Sequence, residues 1–140
     1  MIESSIVKYG DQVVTVDVGK PSNVEFNFMK IRAFAQERKK RGFWDPRNLN
    51  YYHVHPEGFL NYSQTDLRCA KGLHLGLGVC RNFHIITFNS SDLNDETYNF
   101  SCFLYNPDHP DRLIPELDSE GLDGYSLYLL KALSYGYVNL

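Results

Sequence analysis

This 140-residue chain is short of several things, and each shortage closes off a class of protein. Its three cysteines, Cys69, Cys80 and Cys102, are unevenly spaced and form no CxxC pair. An odd, unpatterned set is neither a disulfide framework nor a cysteine zinc site, and it fits a reducing compartment. No apolar run approaches the roughly 20 residues that a membrane-spanning helix needs. The opening residues, MIESSIVKYG, carry an early acid and no long apolar core, so no signal peptide is expected there. These absences lead us to expect a cytoplasmic protein without a membrane partner. There is no basic excess either: Lys and Arg number 14 against 17 Asp and Glu, a net charge of −3. Nothing in that balance recruits nucleic acid. The one basic run, ERKKRG at 37–42, closes a predicted helix, where cations suit the helix dipole and solvent. Repeats and low-complexity segments are absent.

What is present is ordinary for a folded domain, 43% apolar and 22% charged. That composition and length suit one domain over 1–140 with a single core. Aromatics reach 14%, which we read as a tyrosine-rich β-surface in preference to a protein-binding face.

The β-branched runs 2–10 and 12–19, split by Gly10-Asp11, predict two strands in a hairpin. Over 24–42 the period changes: Phe28, Ile31, Phe34, Ala35 and Arg38 share one helical face, and Gly42 ends it. Residues 49–56 predict a short strand closed by Pro56. Residues 63–78 predict a helix weakened by Gly72, Gly76 and Gly78, so an early end is expected. FHIITF (83–88) and 97–106 predict strands, the proline- and acid-rich stretch that follows reads as loop, and 125–138 predicts a last helix. The order β-β-α-β-α-β-β-α suggests an α/β or α+β sandwich, one mixed sheet flanked by helices.

The chemistry concentrates in HVHPEGFLNYSQTD, residues 53–66. On a strand, residues two apart share a face, so His53 and His55 project together while Val54 faces the other way. Pro56 puts the pair at a sheet edge or end, where a site can be open. Ser63 and Asp66 have the N-cap and N3 spacing of a helix start. Each half alone is common. Together they offer three metal ligands in one strand–loop–helix, and two imidazoles with one carboxylate leave a fourth tetrahedral position for water, as catalytic zinc requires.

This stretch closely resembles the His-x-His-Pro…Ser-x-x-Asp signature of JAMM metalloproteases, also called JAB or MPN-plus domains. The resemblance implies a cytidine-deaminase-like architecture, with Zn2+ held by His53, His55 and Asp66 and with Ser63 steadying the oxyanion. It also implies an upstream glutamate on a strand beside the metal as general acid/base. ESSIVKYG supplies Glu3, with Glu25 and Glu37 as competitors. Family members usually have a helix before that strand. Only two residues precede Glu3 here, so the strand is expected to be less firmly held. His74 is expected along its helix, His84 in the sheet and His109 on a surface loop. The implied activity is zinc-dependent hydrolysis of a peptide or isopeptide bond. Its implied partner is a protein or peptide substrate, with a ubiquitin-like protein or a phage structural protein among the candidates. Two readings stand beside it. One is a non-catalytic scaffold of the same fold that keeps the metal site. The other is a cupin-like metal enzyme, disfavoured because Glu57 lies too close to His55 and helices flank the motif.

Overall fold

The computed structural model describes residues 1–19, 26–56, 58–117 and 121–140, and its described residues form one small mixed α/β domain. The strands are β1 (Ser4–Tyr9), β2 (Gln12–Val18), β3 (Leu49–Val54), β4 (Phe83–Phe88), β5 (Tyr98–Tyr105) and β6 (Leu113–Pro115). The helices are α1 (Phe28–Arg41), α2 (Gln64–Leu77) and α3 (Gly124–Ser134). All six strands join one sheet in the order β2-β1-β3-β4-β5-β6. Among the described strands only β3 and β4 pair in parallel, and α2 is the crossover that such a pair requires.

Strand alternation sorts the core into two layers. Val7, Tyr51, Phe83, Ile85 and Phe103 point to one face and pack against Ile31 and Ala35 of α1 and Leu67, Ala70 and Leu73 of α2. Ile6, Tyr52, Val54, Ile86 and Phe88 point to the other and meet Leu127 and Leu130 of α3. Val54 therefore turns away from the histidine face, as its strand position requires. No helix among the described residues is long and apolar enough to cross a membrane.

Several expectations need correction. The stretch after β5 is not all loop: Leu113–Pro115 pairs antiparallel with β5 through Leu104↔Ile114 and Tyr105↔Leu113. Such a short strand has no periodicity of its own and exists through its neighbour. Helix α2 does not end early but runs to Leu77, where Gly78 caps it in the left-handed region at φ 89°. Gly76 is used for closeness, since a Cβ there would stand 2.2 Å from the Phe28 ring. The first strand is not loosely held. It lies between β2 and β3, the Ile2 N–H donates to the Ser134 carbonyl at 2.9 Å, and the Ser4 hydroxyl reaches Ser134 Oγ at 2.7 Å.

Candidate metal centre

The site forms where the C-terminal end of β3, the entry to β1 and the first turn of α2 meet. Strands β1 and β3 are antiparallel with Ser5 opposite His53, so the same register carried two residues further sets Glu3 opposite His55. Glu3, His53 and His55 thus share the α1/α2 face although 50 residues separate the first two. Strand β3 is interior, so the site sits at a strand end and not at a sheet edge. His55 lies one residue beyond β3, yet its N–H donates to the Ile86 carbonyl of β4 at 2.9 Å, which holds its backbone in the sheet.

Asp66 arrives through a helix cap. Its N–H donates to Ser63 Oγ at 3.1 Å, and its Oδ2 accepts from the Ser63 N–H at 2.8 Å. This reciprocal capping box satisfies two donors that a helix start leaves without partners. It also points the carboxylate back toward β3. Asp66 Oδ1 lies 3.0 Å from His53 Nδ1 and Oδ2 lies 3.1 Å from His55 Nε2. Glu3 Oε1 lies 3.3 Å from His53 Nε2 and 3.9 Å from His55 Nε2. The two imidazoles stand at 88° with centroids 4.5 Å apart. All four groups are buried, the most exposed at 6%.

The ring orientations carry chemical information. His55 Nδ1 faces the Phe59 carbonyl at 3.1 Å, and a carbonyl can only accept, so the hydrogen is on Nδ1. With Nδ1 committed to that carbonyl, His55 turns its Nε2 toward the Asp66 and Glu3 oxygens. A ring nitrogen that close to carboxyl oxygens needs a proton or a cation between them. His53 shows the same tension: both ring nitrogens lie within ion-pair distance of carboxyl oxygens, yet neither has hydrogen-bond geometry, and Glu3 Oε2 is buried without a partner. Buried polar atoms are ordinarily satisfied. Glu3, His53 and His55 each offer a ligand atom within 4.8 Å of the others, which is close enough to hold one metal ion. Two imidazoles and carboxylate oxygens suit a borderline divalent cation.

Electrostatics follow from the same contacts. Burial alone would lower the His53 imidazole, but the Asp66 and Glu3 carboxyl groups outweigh it and raise its pKa to about 9. Burial would likewise raise the Asp66 carboxyl. The His53 and His55 rings and the Ser63 N–H reverse that and hold it below the usual carboxylate range.

The group forms the floor of a cleft of about 480 Å³ whose walls include Pro56, Phe59, Tyr62 and the exposed Ser63. Structure thus brings together Glu3, His53, His55, Ser63 and Asp66, and leaves other candidates elsewhere. Glu37 pairs with Arg41 on the exposed side of α1 at 3.1 Å. Glu25 and Glu57 lie outside the described residues. His74 is on α2 against the Tyr105 ring, buried His84 stacks on Tyr52 in the sheet, and His109 is exposed in a loop.

Two contributors had no local signal. The Phe59 carbonyl fixes the His55 tautomer, the kind of outer contact that orients a metal ligand. Phe26, just before α1, sets its ring edge-on to His53 with centroids 6.2 Å apart. Only the six-residue gap between Pro56 and Ser63 hinted that the intervening loop belonged to the site. Neither a known protein-family model nor a curated protein matches this chain.

Proposed function

We propose that this protein is a zinc-dependent hydrolase of the JAMM type, with a JAB/MPN-like fold, that cleaves a peptide or isopeptide bond. One observation carries the reading. Two histidines and two carboxyl groups converge, buried, on the floor of an open cleft, with three buried atoms of Glu3 and His53 without hydrogen-bond geometry. A structural ion pair would align those atoms.

His53, His55 and Asp66 would hold the zinc. Bound there, it would polarise the substrate carbonyl and lower the pKa of its water to about 7. The chain's own groups do the rest. Glu3 sits beside both imidazoles with Oε2 uncommitted, so it is the group placed to take the proton from the attacking water and return it to the leaving amine. The Ser63 hydroxyl accepts the Asp66 N–H and keeps its own hydrogen, which it can donate to the developing oxyanion at the cleft mouth. The Phe59 carbonyl keeps His55 turned so that Nε2 faces inward. The substrate is a protein or peptide, with a ubiquitin-like protein and a phage structural protein as the two candidates to try first.

The test pairs metal content with turnover. Purified protein should carry about one zinc per chain and cleave a ubiquitin-like fusion or members of an unbiased peptide library. Absence of bound metal at neutral pH with excess zinc would sink the metal centre. Stoichiometric zinc with no cleavage of any substrate would leave a scaffold that keeps its ion.

A further inference from the structure

Phe59 stands out on the cleft wall. It is 66% exposed and borders His55. Its backbone is held on both sides. The Phe59 N–H donates to the Pro56 carbonyl at 3.1 Å, which closes a turn whose Gly58 sits at φ 82°, where a side chain would be strained. The Phe59 carbonyl accepts from His55 Nδ1, and the next carbonyl, of Leu60, accepts from the Ser101 hydroxyl on β5. The ring therefore projects from a segment tied to the site itself and to the sheet. Pro56 and Tyr62 continue the surface beside it, and among the described residues the carboxyl and imidazole groups that border the cleft, Glu3, His53, His55 and Asp66, are on its floor. An exposed aromatic on a held backbone has less freedom to lose on binding than one on a loose segment, which favours a recognition contact.

We propose that Phe59 is the specificity-determining residue of this cleft, receiving an apolar side chain of an extended polypeptide next to the bond to be cleaved. The inference rests on the hydrolase reading for the words "to be cleaved" and on the cleft alone for the preference. Phe59 acts on the metal group through its carbonyl and on the substrate through its ring, so a side-chain substitution separates the two.

The experiment measures binding of acetyl-Gly-Xaa-Gly-Gly-amide peptides, with Xaa as Leu, Phe, Lys or Asp, by NMR titration of the zinc-free protein. The zinc content of each variant and the turnover of the same peptides are measured in parallel. Wild type should bind the Leu and Phe peptides about tenfold tighter than the Lys and Asp peptides, the scale on which apolar contacts discriminate. Phe59→Ala should remove that preference, Phe59→Leu should keep most of it, and neither should change zinc content. Gly58→Val, which strains the turn, should weaken both the preference and zinc retention. Equal affinity for all four peptides in wild type, or none for any, overturns the proposal, as does an undiminished preference in Phe59→Ala. Apolar preference without cleavage supports the subsite and overturns proteolysis of these peptides. Cleavage without preference overturns the subsite and keeps the hydrolase.

Discussion

Zinc must compete with a proton for His53, and the competition has a size. The Asp66 and Glu3 carboxyl groups overcome burial and raise the metal-free imidazole to about 9, so at neutral pH His53 carries a proton that has to leave before the nitrogen can bind a metal. At pH 7 that is about two pH units, close to 3 kcal/mol, and the apparent affinity for zinc should sit about a hundredfold below its high-pH limit. Between pH 6 and 8 the logarithm of the apparent affinity should rise by about one per pH unit. Calorimetry of zinc binding in buffers of different ionisation enthalpy should show about one proton released per zinc at pH 7. The same shift bears on stability without metal. A folded-state pKa above the usual 6.5 contributes stability that is fully present below pH 6.5 and is lost as pH rises through about 9. His53 alone should therefore make the metal-free protein easier to unfold at pH 10 than at pH 6, by about 3 kcal/mol. Affinity that stays flat between pH 6 and 8, with no proton released, would refute the claim that His53 is both protonated in the free protein and a ligand in the loaded one.

Three other predictions follow from single contacts. Glu3→Gln should retain zinc while turnover falls about 10²- to 10⁴-fold, the range of a general acid–base; if zinc is lost instead, Glu3 is a ligand, a role its position beside both histidines also allows. Ser63→Ala removes the hydroxyl that caps α2, and should cost about 1 kcal/mol, a drop in Tm of roughly 3 °C in a thermal melt, with turnover reduced as well. Gly76→Ala gains up to about 1 kcal/mol of helix propensity, but its Cβ meets the Phe28 ring at 2.2 Å. Overpacking of this kind costs about 1–3 kcal/mol, so denaturant unfolding should show net destabilisation, and a stabilised variant would mean that the ring swings clear.

The local parts of the site were legible in sequence because they obey short-range rules. Residues two apart on a strand share a face, so His53 and His55 had to project together and Val54 had to turn away. A Ser-x-x-Asp at a helix start forms a capping box whatever the fold, so Asp66 had to be in the first turn of α2. Strand β4 announced itself through an apolar run and β5 through alternation. Strand β6 did not, because three residues ending in proline have no period to detect.

Glu3 marks the boundary. Its residue type and its place on a β-branched run were visible, but whether β1 lies beside β3 is a question of sheet order, and only the pairing of Ser5 with His53 brings the carboxyl to the imidazoles. The Phe59 carbonyl, the Ser101 tether and the edge of Phe26 belong to the same class, contacts between residues distant in sequence or placed by a turn. Periodicity and capping act over a few residues, and from them the strand, the helix and three of the four polar groups could be written down. The fourth group, the tautomer of His55 and the wall of the cleft depend on which strands became neighbours. Burial of both sheet faces decides that, by selecting the one arrangement that covers Tyr51 and Phe83 on one side and Tyr52 and Ile86 on the other.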